Sequence, residues 1–174
     1  MTVTIRPARP EDGDTVAGIR VASWRATYDG IVPSSYLESM DPNREHWRAV
    51  AAGRLDGVEL LVCEADGAVA GFACYGPSRP PGFGFAGELY ATYFRPGAIG
   101  KGYGTATMDA ALRGLVRLGY RDAILWVLED NLRARRFYER MSGTLVPDSR
   151  QSFVIDEQAI WEVAYGFRLA PAVK

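Results

Sequence analysis

The segment 88–106 constrains the fold of this 174-residue chain more than any other. It opens with the run ELYATYFR, whose aromatic and apolar residues are typical of a strand, and it continues into GKGYGTA, with glycines at 100, 102 and 104. This order predicts a strand that ends in a glycine turn and opens a helix. Such a turn lets successive backbone N–H groups point into one concavity, to which the helix start adds partial positive charge. The segment therefore predicts an anion site that fits a pyrophosphate.

Two well-known phosphate-binding patterns fit this segment badly. No run in the chain has the Walker spacing Gly-x-x-x-x-Gly-Lys-Ser/Thr. The dinucleotide fingerprint Gly-x-Gly-x-x-Gly fails because the third glycine comes one residue early, and the acidic candidate Asp122 stands at the wrong end of its strand. A nicotinamide-dependent oxidoreductase is therefore disfavoured. A glycine turn without any ligand stays an alternative for this segment taken alone.

A second block, 124–141, narrows the choice of ligand. The apolar run ILWVLED leads to Asn131, and Ala134, Phe137 and Tyr138 follow it with the spacing Asn-x-x-Ala-x-x-Phe-Tyr. Together with the glycine turn, this block resembles the GCN5-related N-acetyltransferases (GNAT), whose pattern is a strand, Gln/Arg-x-x-Gly-x-Gly/Ala, a helix, a second strand and the same asparagine motif. Ile99 stands where the family has Gln or Arg. The resemblance implies an acyltransferase that uses acetyl-CoA as its cosubstrate.

The order of the predicted elements agrees with this family. We expect an α+β fold in one domain over 1–174: a central mixed, mostly antiparallel sheet of about seven strands, flanked by about four helices. Strands 85–95 and 123–129, joined by a helix over 101–118, form a βαβ unit and must run parallel. A hairpin turn at 66–67 would place Cys63 opposite Ala70 and Cys74 opposite Glu59, which predicts two free thiols.

The resemblance also implies where the cosubstrate binds. In the family the two central strands splay apart, and the pantetheine arm pairs with the backbone of the first strand. Carried over by position, the cofactor-binding residues are Tyr93, Phe94, Gly100, Lys101, Gly102, Tyr103, Gly104, Thr105 and Asn131. Arg133, Arg136 and Arg140 share one helical face and either add positive charge for the polyanion or form a solvated surface.

The reaction needs a base for the ammonium acceptor and an acid for the departing thiolate. Glu88 is the candidate base because it lies in an otherwise apolar strand, where several family members carry a catalytic glutamate. The alternative is a cross-strand ion pair. Tyr138 is the candidate acid, as the family tyrosine is, and the alternative is a packed core tyrosine. Neither cysteine lies at a helix start or beside a histidine, so we expect direct attack within a ternary complex.

The acceptor is less well defined. Its pocket is expected from the aromatic residues Trp24, Tyr28, Tyr36 and Phe85. A primary amine of a metabolite, amino acid or antibiotic is the first expectation, and a protein amino terminus or lysine the second. A CoA-binding regulatory domain without turnover is the rival from another class, and a homodimer is left open.

Charge and composition exclude few other classes. The formal net charge of −1 disfavours nucleic acid as a partner. The absence of a long apolar run and of a charged-then-apolar leader predicts a cytoplasmic protein without a membrane segment. The single histidine, His46, argues against a two-histidine metal site, and no metal is expected.

Overall fold

The structure is a computed structural model that describes residues 2–169, and over this range it has the mixed α+β architecture expected. A single eight-stranded sheet has the order β1-β2-β3-β4-β5-β8-β6, with β7 also paired to β8. In chain order the strands are β1 Val3–Pro7, β2 Glu59–Ala65, β3 Ala68–Pro77, β4 Gly87–Phe94, β5 Asp122–Leu128, β6 Thr144–Leu145, β7 Gln151–Ile155 and β8 Gln158–Arg168. The single domain over 1–174 stays a prediction, because Met1 and 170–174 lie outside the described residues.

The described residues also form five α-helices and two short 3-10 turns, at Pro10–Asp12 and Pro96–Ala98. The helices are α1 Gly13–Thr27, α2 Ser34–Ser39, α3 Arg44–Ala51, α4 Tyr103–Arg117 and α5 Leu132–Arg140. This is one helix more than the sequence predicted. Helices α2 and α3 are separate because Pro42 lies between them and proline cannot continue a helix. None of these helices is long and apolar enough to cross a membrane.

The helices cover the two faces of the sheet. Helix α4 buries Met108, Ala111 and Leu115 in a core that also contains Leu125 and Tyr165. Helices α1 and α3 cover the opposite face, where Val16, Ile19 and Trp47 pack with Val62 and Phe72. Strand β5 buries Leu125 and Val127 in the core under α4, and Ile124 and Leu128 on its other face are buried too, which accounts for its nearly all-apolar sequence.

Strands β4 and β5 are parallel, as the βαβ prediction requires, but they pair at only two positions. Gly87 lies opposite Ala123 and Glu88 opposite Ile124. Tyr90 is an extra residue in β4, since Tyr75 of β3 faces Leu89 and Cys74 faces Ala91. Such a bulge bends the strand. Beyond Glu88 the two central strands diverge.

The β2–β3 hairpin corrects the predicted register by one residue. Ala65 faces Ala68 across the turn, but a bulge follows, so that Cys63 faces Gly71 and not Ala70, and Cys74 faces Leu60 and not Glu59. Ala70 is the extra residue, and its carbonyl accepts a hydrogen bond from the Arg95 N–H at 2.8 Å. Both cysteines are buried and free, as predicted.

Candidate active site

A cleft of about 570 Å³ opens where β4 and β5 diverge. Its walls are β4 from Leu89 to Phe94, the middle of β5, the end of α1, the turn before α4, and α5. Within the described residues, the backbone groups on the β5 side of β4 have no strand partner beyond Glu88, because the ladder between the two strands stops there. The cleft therefore presents main-chain donors and acceptors along one wall.

The glycine turn forms one end of this cleft. Gly100 and Gly102 have φ values of +85° and +81°, in the left-handed region that favours glycine. A Cβ added at either position would meet nothing within 4 Å, so the backbone conformation and not crowding requires glycine here. Gly102 is the N-cap of α4, and as a glycine it has no side chain with which to cap that helix. Gly100, Gly102, Gly104 and Thr105 all line the cleft, at the end where the helix dipole favours an anion.

Positive side chains accompany the turn. Arg133 and Arg140 of α5 line the cleft, and Lys101 is exposed between the two left-handed glycines. Tyr103, by contrast, is buried beneath the turn with Cys63 and Ala98. Among the predicted cofactor-binding residues, the cleft is lined by Tyr93, Phe94, Gly100, Gly102, Gly104, Thr105 and Asn131.

Asn131 and Tyr138 hold the opposite wall. The Asn131 side chain caps α5 by accepting a hydrogen bond from the Ala134 N–H at 3.1 Å. The Tyr138 ring packs against Tyr165, with centroids 6.1 Å apart, and it lines the cleft. Burial, together with the nearby Tyr93, raises the pKa of the Tyr138 phenol well above its usual value. This hydroxyl is therefore protonated, and a potential proton donor, throughout the physiological pH range.

Two more phenols, Tyr28 and Tyr93, line the same cleft as Tyr138. Burial raises the pKa of Tyr28, and the proximity of Tyr93 and Tyr138 raises it further. Burial likewise raises the pKa of Tyr93. Among the described residues that line the cleft there is no Asp, Glu or His. The part of the cleft lined by these three tyrosines is therefore aromatic and hydroxyl-bearing, without a carboxylate among the described lining residues.

Glu88 occupies the last paired position of β4, directly before the strands diverge. Its carboxylate accepts hydrogen bonds from the Arg79 backbone N–H at 2.8 Å and from Arg79 Nε at 3.1 Å. A further guanidinium nitrogen of Arg79 completes the ion pair. Glu88 is not among the residues that line the cleft. The structure thus gives this carboxylate an ion-pair partner on the preceding loop, and its role as the base stays a prediction.

The predicted acceptor residues separate into two places. Tyr28 lines the cleft, and the Trp24 ring packs edge-on against the Tyr28 ring with centroids 4.7 Å apart. The Tyr36 ring packs against Trp24 in turn, with centroids 6.2 Å apart. Phe85 lies elsewhere: its ring covers Gly166 of β8 and lines a second groove of about 410 Å³. The absence of a side chain at Gly166 leaves room for that ring, so the structure does not bring Phe85 to the main cleft.

Arg79 and Trp126 are two residues of this region that the sequence analysis did not identify. Trp126 lines the cleft, and Phe83 packs edge-on against it with centroids 5.8 Å apart. Successive side chains of a strand point to opposite faces of the sheet. Because Leu125 and Val127 face the core under α4, this alternation could have placed Trp126 on the other face. Arg79 lies in a loop rich in proline and glycine, where no periodicity indicates a partner.

Comparison with known proteins agrees with this geometry. The model of the acetyltransferase (GNAT) family matches residues 19–143. An uncharacterized N-acetyltransferase of Bacillus subtilis, YuaI, is 33% identical over 99% of this chain and 96% of its own length. An uncharacterized N-acetyltransferase of Archaeoglobus fulgidus is 30% identical over 77% of this chain and 88% of its own.

Solved structures share the fold at lower identity. The PaiA N-acetyltransferase of Thermoplasma acidophilum, in complex with coenzyme A, has a TM-score of 0.74 at 23% identity, covering 93% of this chain and 98% of that one. The yncA protein of Salmonella typhimurium, with acetyl-CoA, has a TM-score of 0.75 at 21% identity, covering 100% and 98%. The chain therefore belongs to the acetyltransferase (GNAT) family and is an acyltransferase.

Proposed function

We propose that this enzyme transfers the acetyl group of acetyl-CoA to a primary amine of a small molecule, by direct attack within a ternary complex. The observation that carries the proposal is the continuous cleft, which has an anion-binding turn at Gly100 and Gly102, unpaired β4 backbone along one wall, and Tyr138 on the facing wall. These features match the three parts of the cosubstrate: pyrophosphate, pantetheine amides and thioester. The structural neighbours in complex with coenzyme A and with acetyl-CoA support the same assignment.

The residues present fit this cosubstrate. The left-handed turn and the start of α4 offer backbone donors for the pyrophosphate, and Arg133 and Arg140 add charge-assisted contacts. The Arg95 N–H donates to the Ala70 carbonyl of β3, so by antiparallel alternation the backbone groups of Tyr93 also face β3 and those of Phe94 face the cleft. We propose that the Phe94 backbone pairs with the pantetheine arm as a strand would. Ile99 contributes no polar contact, so we assign the phosphate site to the backbone and the arginines.

In the proposed reaction, Tyr138 donates a proton to the leaving group and water in the cleft accepts the protons of the amine. The amine nitrogen attacks the thioester carbon, a C–N bond forms and the C–S bond breaks. Tyr138 donates its phenolic proton to the departing sulfur and regains one from cleft water, and its raised pKa keeps it protonated between turnovers. We propose that the protons lost by the amine pass to cleft water, because no described carboxylate or histidine lines the cleft. Direct proton removal by Glu88 is the alternative that a pH profile tests.

A small acceptor suits the space. The cleft volume of about 570 Å³ lies within the range of pockets for one drug-sized ligand, and the pantetheine arm takes part of it. The aromatic surface of Tyr28 and Tyr93 suits an ammonium group that approaches over ring faces. A protein amino terminus or lysine remains the second candidate.

Calorimetry with purified protein tests the cosubstrate first, with acetyl-CoA, free CoA and NADH as titrants. We expect micromolar binding of acetyl-CoA and no binding of NADH. A panel of the twenty L-amino acids, spermidine, L-phosphinothricin, kanamycin and an unblocked peptide then follows, with release of the CoA thiol as the readout. Absence of acetyl-CoA binding would refute the proposal, and preference for the peptide would favour the second candidate.

A further inference from the structure

The loop 78–86, which joins β3 to β4, is held in place by several hydrogen bonds. The Ser78 N–H donates to the Ala86 carbonyl at 2.8 Å, and the Phe85 N–H donates to the Gly82 carbonyl at 2.8 Å. The Ala86 N–H in turn donates to Asp122 Oδ1 at 2.7 Å. These bonds close the loop on itself and tie its end to the start of β5.

The ion pair between Arg79 and Glu88 fastens the other end of the loop. The Glu88 side chain is only 2% exposed, whereas the Arg79 side chain is 65% exposed, so the pair joins a buried anion to a surface loop. Both carboxylate oxygens are occupied: Oε1 accepts from the guanidinium and Oε2 from the Arg79 backbone N–H. A buried carboxylate with both oxygens bound to one residue is suited to hold that residue in place.

The fastened loop touches two side chains of the cleft wall. The Arg79 guanidinium lies 4.5 Å from the centre of the Tyr90 ring, and Tyr90 is the bulged residue of β4 that lines the cleft. At the tip of the loop, Phe83 packs against Trp126 of β5, which lines the cleft too. The position of the loop is therefore coupled to the shape of the wall at the point where the central strands diverge.

We propose that Glu88 is a positioning residue: through Arg79 it holds loop 78–86 against Tyr90 and Trp126 and so shapes the acceptor side of the cleft. The inference rests on the proposed transfer to an amine and specifies which residues select that amine. It assigns a different role to Glu88 from that of a base. A base sets the pH dependence of the reaction, whereas a positioning residue sets the acceptor KM.

The variants are Glu88→Gln, Arg79→Met and the double variant. Asp12→Asn is the matched control, because Asp12 is also a buried carboxylate that binds an arginine, Arg6, and a backbone N–H, that of Arg9 at 2.7 Å. Arg79→Lys is a milder change that keeps the charge, should a larger one prevent folding. The kinetic probe is the amine of the panel with the highest rate, and hydrogen exchange of the 78–86 amides is a readout that needs no substrate.

For Glu88→Gln we expect the acceptor KM to rise at least about fivefold with kcat within about twofold, since one charged contact is lost away from the reacting atoms. The pH–rate profile and the acetyl-CoA affinity stay as in the wild type, and the 78–86 amides exchange faster. Arg79→Met lowers stability most, because it leaves a buried charge unpaired, and the double variant regains stability without regaining the KM. Asp12→Asn loses stability but keeps both the acceptor KM and the loop exchange.

Three results would overturn the inference. Loss of the acid limb of the pH–rate profile in Glu88→Gln, at an unchanged KM, makes Glu88 the base. Equal behaviour of Glu88→Gln and Asp12→Asn in every readout leaves only a general structural role. Unchanged hydrogen exchange of the 78–86 amides in both Glu88→Gln and Arg79→Met would show that the ion pair does not hold the loop in place. Failure of the proposed function looks different, because the wild type itself would then bind no acetyl-CoA.

Discussion

Replacement of Gly102 by alanine isolates what the glycine turn contributes. Gly102 has a φ of +81°, and an added Cβ would meet no atom within 4 Å. The substitution therefore introduces no clash, and its only direct effect is on the backbone. An alanine in the left-handed region costs about 1–2 kcal/mol.

That cost appears in one of two measurable places. If the turn stays left-handed, the free energy of unfolding falls by about 1–2 kcal/mol, which denaturant titration resolves. If the turn relaxes, the same energy is needed to restore it on binding, and the acetyl-CoA Kd rises about five- to thirtyfold. The sum of the two effects, from unfolding and from calorimetry, should stay near 1–2 kcal/mol.

Gly104 provides the matched control two residues further along. It lies inside α4, and an added Cβ would meet the Phe137 ring at 3.6 Å, an ordinary contact. Gly104→Ala should therefore leave acetyl-CoA binding nearly intact and stabilise the helix by up to about 1 kcal/mol. Gly104→Asp has the same Cβ but adds a negative charge to the anion site, and it should abolish binding. Unchanged stability and affinity in Gly102→Ala, or equal loss in both alanine variants, would refute the reasoning.

Three further predictions concern the walls of the cleft and the core. Tyr138→Phe should lower kcat about 100-fold with the acetyl-CoA affinity unchanged, because it removes the proton donor to the thiolate. A kcat equal to that of the wild type in steady-state kinetics would contradict this. Asn131→Ala should cost about 1 kcal/mol in denaturant unfolding by removing the cap on the Ala134 N–H, while Asn131→Ser keeps most of it. Burial raises the pKa of the Cys74 thiol to about 12, so Ellman's reagent at pH 8 should label Cys74 only after unfolding; rapid labelling of the folded protein would contradict its burial.

The elements with a clear period could be predicted from the sequence. The helix expected over 101–118 is α4 at Tyr103–Arg117, and the strand expected over 123–129 is β5 at Asp122–Leu128. The predicted register of the β2–β3 hairpin was wrong beyond its turn, because nothing in an apolar run indicates a bulge at Ala70. Strand β6, with two residues, was too short for any pattern.

The candidate site divides in the same way. Asn131 and Tyr138 both line the cleft, and a motif of eight residues that spans the N-cap and the body of α5 fixes their spacing in the sequence; their roles stay predictions. The contacts of Glu88 and Phe85 depend on the path of loop 78–86, which the sequence does not predict. The sequence shows an acid in an apolar strand, but both a base and an ion pair satisfy that pattern. The path of the loop brings Arg79 into an ion pair with Glu88. It also packs the Phe85 ring against Gly166 of β8, which is far away in the sequence.

The replacement at Ile99 shows how the glycine turn can be held without the family's polar side chain. The turn follows the 3-10 segment Pro96–Ala98, and Ala98 is buried with Tyr103 against Cys63 and Ala70 of the β2–β3 hairpin. Apolar contacts thus fix the residues on both sides of Gly100 and Gly102, while the glycines need no neighbour to adopt their conformation. A polar side chain that braces a loop acts through hydrogen bonds with a small net stabilisation, and buried apolar area can replace it. The loss of that side chain is therefore compatible with an intact anion site.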